Sequence, residues 1–322
     1  MQRRTFLELT AAALAAGAVA AHAPRADAAE RETLDAAAYR RTRRYADLPF
    51  GRIAYVERGT GPAALFLHGA PLNGFQWRGA IERLAPHRRC IAPDFMGLGY
   101  SQIPEGQSLA ADAQAAMLAA LLDALKVDAV DIVASDSGGA VAQLLLAGHP
   151  GRVRSMLLTN CDVEPDSPPA KVMPVIELAR AGKLADDTAK WLTDKALARS
   201  TFGAAVFADP ARFADETIDY YVTPLVSTPL RRRQYEAFHV ALAPNPLAGI
   251  EATLKRSAVP VRIVWGAADD LFLQTDADYL DRTFAGSRGV RRVPGAKLFF
   301  PEEFPDVIAE EALRLWGVRA GR

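Results

Sequence analysis

The chain has 322 residues, half of them hydrophobic and 24% charged, and its 38 basic residues are balanced by 38 acidic ones. A chain of this length can bury a large core, as one α/β domain or as a domain with an insertion. Because no excess of basic residues is available to neutralise phosphates, the composition argues against a nucleic-acid-binding protein.

The first 28 residues have the features of an export signal. Arg3 and Arg4 are followed by an alanine-rich apolar run over residues 9–21 and by small residues at positions 26–28. This pattern resembles a twin-arginine signal, whose passenger proteins cross the membrane already folded. The apolar run is too short to span a membrane. We therefore expect export by the twin-arginine machinery to the periplasm or beyond the cell, with no membrane span once the signal is removed.

From Tyr45 onward, short apolar runs alternate with helical stretches. The runs that predict strands are RIAYVERG, AALFLHG, RRCIAPDF, AVDIVAS and RVRSMLLTN, and later VPVRIVWG and GVRRVPG. Strands that alternate with helices favour a doubly wound, mostly parallel sheet in an α/β fold. The chain then ends in a predicted helix over residues 304–315.

The alternation stops at residues 163–257, which are rich in proline and mainly helical in pattern. This segment follows the sixth predicted strand, so we interpret it as an inserted helical lid. The predicted organisation is a signal at residues 1–28, a linker at 29–44, a core at 45–162 and 258–322, and a lid at 163–257.

Four segments in consistent order resemble the α/β-hydrolase fold: LFLHGAP, APDFMGLGYS, DIVASDSGG and VRIVWGAADDLF. The resemblance covers residues 45–318. It implies that DIVASDSGG forms the turn that carries the nucleophile, because the chain passes there directly from a strand into a helix. This turn requires small residues two positions before and two positions after the nucleophile.

Two residues meet this steric requirement. Asp136 at the tip places Ala134 and Gly138 at the small positions, and Ser137 at the tip is also sterically allowed. The register of the family favours Asp136. A carboxylate is ionised at neutral pH and can displace a leaving group from a saturated carbon, as in haloalkane dehalogenases and epoxide hydrolases. Two alternatives stay open: Ser137 is the nucleophile of an esterase, or Asp136 only caps the following helix.

The same resemblance implies the other site residues. The main-chain N–H groups of Ala70 and Ser137 would stabilise the developing oxyanion. Asp269 occupies the position of the catalytic acid, and Asp162, just past the sixth strand, is a weaker alternative. Asp270 could instead hold the turn.

The catalytic histidine is absent from its expected position, where the chain has Leu298. His239, in the predicted lid, is the candidate alternative base, although a packed histidine is the commoner role for such a residue. General-base catalysis contributes about 10²- to 10⁴-fold to hydrolysis of an enzyme ester. The departure at Leu298 therefore supports a further hypothesis, a non-hydrolytic binding protein or pseudoenzyme.

Aromatic residues of the predicted lid are candidates for contact with the leaving group. Trp191 could contact a halide, and Tyr220, Tyr221 or Tyr235 could protonate an epoxide oxygen, although packing within the lid is the default role for each. Scattered histidines and two separated cysteines predict no metal site. We expect no cofactor and a small or medium apolar molecule as substrate.

Overall fold

The computed structural model describes residues 34–318, so the predicted signal at residues 1–28 and the first part of the predicted linker lie outside them. Within the described residues, eight strands form one sheet: β1 (Arg43–Leu48), β2 (Gly51–Arg58), β3 (Ala63–Leu67), β4 (Arg89–Pro93), β5 (Val130–Asp136), β6 (Val153–Cys161), β7 (Val261–Gly266) and β8 (Ser287–Val293). Their order in space is β1-β2-β4-β3-β5-β6-β7-β8. β2 pairs antiparallel with β1 and β4, and all other neighbours are parallel.

The α-helices of the described residues surround this sheet or lie between β6 and β7. They are α1 (Ala36–Thr42), α2 (Arg78–Leu84), α3 (Ala111–Ala124), α4 (Ser137–Gly148), α5 (Met173–Arg180), α6 (Leu184–Ala189), α7 (Lys195–Ala198), α8 (Ala204–Val206), α9 (Asp215–Val226), α10 (Pro229–Val240), α11 (Glu251–Arg256), α12 (Gln274–Thr283), α13 (Phe300–Glu303) and α14 (Pro305–Leu315). In residues 34–318, no helix is long and apolar enough to cross a membrane.

The central strands are apolar on both faces because helices cover both faces of the sheet. All five residues of β3 are buried, and successive side chains of a strand point to opposite faces. Phe66 accordingly packs in a cluster with residues of α2 and α14, whereas Leu65 and Leu67 pack in the larger cluster with residues of α3 and α4. The predicted doubly wound α/β fold is confirmed.

The chain between β6 and β7, described throughout, contains helices α5 to α11 and no strand of the sheet. We call α5 to α11 the helical insertion. It is attached to the C-terminal part of the core, where the Glu303 carboxylate accepts hydrogen bonds from the N–H groups of Ala208 and Asp209, both at 2.9 Å.

The segment interpreted as a linker is partly structured. Asp35 caps α1 by accepting a hydrogen bond from the N–H of Ala38 at 2.6 Å. Tyr39 is buried and its ring lies 5.1 Å from that of Phe75, edge to face. One buried aromatic ring in a seven-residue helix leaves too little periodicity in the sequence to predict that helix.

Candidate active site

Asp136 ends β5 and adopts a strained backbone conformation. Its φ of 56° and ψ of −137° are rarely populated by residues other than glycine. The turn is tight enough that a Cβ on Gly138 would lie 2.6 Å from the carbonyl oxygen of His68. Ser137, the next residue, is already the first residue of α4. The turn therefore places the Asp136 carboxyl group at the carboxyl edge of the sheet.

Two main-chain donors from different strand ends hold the Asp136 carboxyl group. The N–H of Ala70 donates to Oδ1 at 3.1 Å, and the N–H of Ser137 donates to the same oxygen. A helix cap alone would not involve Ala70, which lies beyond the end of β3. Burial raises the pKa of Asp136, and the two hydrogen bonds oppose that shift. Among residues 34–318, Oδ2 has no hydrogen-bond partner, so this oxygen is available to a substrate.

His68 supports the loop that carries Ala70. Its Nδ1 is hydrogen-bonded to the carbonyl oxygen of Gly69 at 2.9 Å, and Nε2 accepts from the N–H of Phe95 at 2.9 Å. Burial lowers the pKa of His68 to about 4, so the ring is neutral at pH 7. With both ring nitrogens occupied, His68 positions the loop and is not available as a base.

Asp269 lies just beyond β7 in a buried set of hydrogen bonds. Its carboxylate accepts from the side-chain amide of Asn160 at 2.7 Å and from the N–H groups of Leu271 at 3.0 Å and Phe272 at 3.4 Å. Burial raises its pKa to about 6. Asn160 was not anticipated from the sequence, because its contact with Asp269 depends on the pairing of β6 with β7.

Asp270 and Leu298 were both singled out in the sequence near the position of the catalytic acid and histidine. Asp270 is exposed and forms an ion pair with Lys171 at 2.7 Å. Leu298, at the position where the sequence resemblance predicts a histidine, is buried. All hydrogen bonds that the described residues make to Asp269 come from amide groups, so no histidine contacts it there.

A cavity of about 620 Å³ lies between the carboxyl edge of the sheet and the helical insertion. This is within the usual size range of small-molecule sites. Most of the lining is apolar. The core contributes Asp136, Ser137, Asp162 and Leu298, and the insertion contributes Trp191, Tyr235 and His239.

His239 borders this cavity, as its candidate role requires. It is buried on α10, and its Nδ1 is hydrogen-bonded to the carbonyl oxygen of Tyr235 at 3.0 Å. In the described part of the chain, Nε2 has no hydrogen-bond partner. Burial lowers the pKa of His239 to about 4. The imidazole is therefore neutral at pH 7 and can accept a proton or a hydrogen bond at Nε2.

The three candidate tyrosines have different surroundings. Tyr235 borders the cavity, and its hydroxyl lies 3.1 Å from Oγ1 of Thr188. Tyr220 instead accepts a hydrogen bond from Arg43, and Tyr221 donates one to Glu302 at 2.8 Å. Burial raises the pKa of Tyr235 well above its usual range, so its hydroxyl keeps its proton at neutral pH.

Asp162 is a second buried carboxyl group on the cavity wall. Oγ of Ser167 donates to its Oδ1 at 2.7 Å. Burial, followed by the negative charge of Asp136, raises the pKa of Asp162 to about 7. Across residues 34–318, no cluster of three or more histidine, cysteine or acidic side chains is arranged to hold a metal ion.

The family model for the alpha/beta hydrolase fold matches residues 62–304. The chain belongs to the alpha/beta hydrolase fold family. Haloalkane dehalogenase 2 of Mycobacterium tuberculosis is 28% identical to this hydrolase over 299 residues, which cover 85% of this chain and 94% of the relative.

Solved structures of similar fold include an alpha/beta hydrolase fold protein from Burkholderia ambifaria, with a TM-score of 0.74, 25% identity and coverage of 88% of this chain and 99% of that one. The epoxide hydrolase CorEH has a TM-score of 0.72 and 23% identity, with 86% and 98% coverage. The predicted membership of this family, and the assignment as a hydrolase, are confirmed.

Proposed function

We propose that Asp136 is a nucleophile that attacks a saturated carbon of an apolar haloalkane or epoxide and forms an ester with it. The observation that carries this proposal is the Asp136 carboxyl group itself, held at the strained turn by N–H donors of Ala70 and Ser137. Oδ2 forms the new C–O bond while the bond from carbon to the halide or epoxide oxygen breaks. Oδ1 becomes the ester carbonyl oxygen, already facing both donors.

The substrate class follows from the cavity. Its volume of about 620 Å³ suits a small or medium molecule, and its largely apolar lining favours one without charge. Ser137 borders the same cavity, but its hydroxyl is buried without a hydrogen-bond partner in the described residues. A serine nucleophile needs an adjacent base, so this environment favours Asp136 over the esterase alternative.

The test is intact-mass spectrometry of the protein after incubation with 1-bromohexane, 1,2-epoxyhexane and an activated hexanoate ester. We expect an added mass that peptide mapping assigns to Asp136, or alcohol or diol product where the ester turns over. Both should vanish in Asp136→Ala and persist in Ser137→Ala. Acylation of Ser137 by the activated ester would establish the esterase alternative. Neither adduct nor product with any probe would support a non-hydrolytic binding protein.

An epoxide is favoured by the hydroxyl of Tyr235, which borders the cavity as a protonated phenol. Replacing Tyr235 by phenylalanine should slow labelling by 1,2-epoxyhexane about 10²-fold, because the oxygen that leaves carbon then lacks a proton donor. Labelling by 1-bromohexane should change little, since bromide leaves without a proton. The measurement is the pseudo-first-order rate of Asp136 labelling by each probe.

Tyr220→Phe is the matched control, because Tyr220 bonds to Arg43 and does not border the cavity. It should leave both labelling rates unchanged. If Tyr235→Phe slowed both probes equally, the hydroxyl would support the shape of the site and not the opening of an epoxide.

Export of the folded hydrolase is also part of this proposal, supported by the paired Arg3 and Arg4 and the apolar run after them. Replacing both arginines by lysine should retain the protein in the cytoplasm, as cell fractionation and immunoblotting would measure. Equal export of this variant would mean that the pair is not a targeting signal.

A further inference from the structure

Asp162 lies beside Asp136 at the carboxyl edge of the sheet. Its neighbour Cys161 is the cross-strand partner of Asp136 in the pairing of β5 with β6. Adjacent strands are about 4.7–4.9 Å apart, so the backbones that carry the Asp136 and Asp162 carboxyl groups are close neighbours. Both border the main cavity. Ser167 occupies Oδ1 of Asp162, and the described residues offer no further side-chain donor to Oδ2.

A second cavity of about 20 Å³ adjoins the same two strand ends. Asp162 and Ser137 border this small cavity as well as the main one. A volume of about 10–15 Å³ is enough for one water molecule when polar partners are present. Asp162 and Ser137 are polar residues on its wall, and Oγ of Ser137 has no hydrogen-bond partner among residues 34–318. This small cavity therefore suits a single water held against Asp162 and Ser137, the residue that follows Asp136.

We infer that Asp162 is the general base that hydrolyses the Asp136 ester and takes the role of the histidine absent at position 298. This inference rests on the proposed function, because it acts on the ester that Asp136 forms. His239, whose Nε2 has no hydrogen-bond partner among residues 34–318, also lies on the wall of the main cavity, but it does not border the water-sized cavity.

Hydrolysis of the ester transfers a proton from water to Asp162 and then from Asp162 to the alcohol. An O–H bond of the water breaks, its proton passes to Oδ2 of Asp162, and its oxygen bonds to Cγ of Asp136. Negative charge develops on Oδ1, which accepts hydrogen bonds from the N–H groups of Ala70 and Ser137. The bond from Cγ to the alkyl-bearing oxygen then breaks, and the alkoxide takes the proton from Asp162. Alcohol leaves, and Asp136 returns as a carboxylic acid that loses its proton to solvent.

Formation of the ester lowers the pKa of Asp162, which favours its role as a base. The negative charge of Asp136 is one of the causes that raise the pKa of Asp162. Formation of the ester removes that charge, so the pKa of Asp162 falls and its carboxylate becomes more populated. The carboxylate form of the base is thus more populated in the ester intermediate than in the free protein. The hydrogen bond from Ser167 keeps the carboxylate in place.

The test separates formation of the ester from its decay, using quenched-flow intact-mass spectrometry with 1-bromohexane and 1,2-epoxyhexane. In Asp162→Asn, labelling of Asp136 should stay within a few-fold of the wild type, and decay of the ester should slow at least about 100-fold. Formate added to Asp162→Ala should restore decay, which a purely structural role would not predict. Asp270→Asn, which changes an exposed carboxyl group that borders neither cavity, is the matched control and should decay normally.

Each outcome decides between the two proposals. Equal decay in Asp162→Asn and wild type, or a wild-type ester that never decays, would overturn the role of Asp162 and leave Asp136 as the nucleophile. Loss of decay in His239→Gln with normal decay in Asp162→Asn would assign the base to His239. Absence of both ester and product in the wild type would overturn the proposed function itself.

Discussion

Replacing Leu298 by histidine is expected to speed hydrolysis of the Asp136 ester by about 10²- to 10⁴-fold when measured in the Asp162→Asn background. Leu298 is buried and borders the cavity that contains Asp136. Asp269 is already held by Asn160 and two main-chain N–H groups. The sequence resemblance pairs these two positions, so we expect Asp269 to orient a histidine introduced at position 298. The measurement is the first-order decay of the ester by intact mass.

The controls separate base catalysis from a change in shape. Leu298→Gln introduces a polar side chain of similar size without a base, so it should leave the decay rate unchanged. Adding Asp269→Asn to Leu298→His should remove most of the gain, because the imidazole loses the carboxylate that orients it. A decay rate unaffected by Leu298→His would show that position 298 and Asp269 are not arranged to act together.

Glu302→Gln is expected to lower the free energy of unfolding by about 3–5 kcal/mol, because it leaves the Arg78 guanidinium buried without its counter-charge. Nη2 of Arg78 lies 2.7 Å from Oε1 of Glu302, and the two side chains are 16% and 6% exposed. Tyr221 of α9 donates to the other carboxylate oxygen at 2.8 Å. The pair joins α2 and α13 of the core to the helical insertion. Urea unfolding followed by circular dichroism measures the change.

An exposed ion pair supplies the comparison. Arg233 and Glu105 lie 2.9 Å apart, but their side chains are 57% and 71% exposed. Glu105→Gln should therefore change the unfolding free energy by less than about 1 kcal/mol. The double variant Arg78→Met/Glu302→Leu should recover much of the loss, since no buried charge remains. Equal effects of Glu302→Gln and Glu105→Gln would mean that Arg78 stays hydrated.

The helix and strand pattern could be predicted because it depends on local periodicity. The run AALFL is apolar throughout and VRIVWG is apolar except for Arg262, as expected for strands covered on both faces, and they form β3 and β7. Helix α1 and strand β1 were not anticipated. Their stability depends on contacts with distant residues, such as the packing of Tyr39 against Phe75 and the pairing of β1 with β2.

The sequence by itself predicted the family, the strand segments in chain order and the candidate site positions Asp136, Asp269 and Leu298. These features depend on motifs and periodicities within short segments, which can be read from the sequence without knowing the tertiary contacts. The tertiary structure alone decided which of Tyr220, Tyr221 and Tyr235 borders the cavity, that Asn160 holds Asp269, and that Asp162 adjoins Asp136. Those relations depend on how neighbouring strands pair and how the insertion packs, because contacts across parallel strands join residues far apart in the chain.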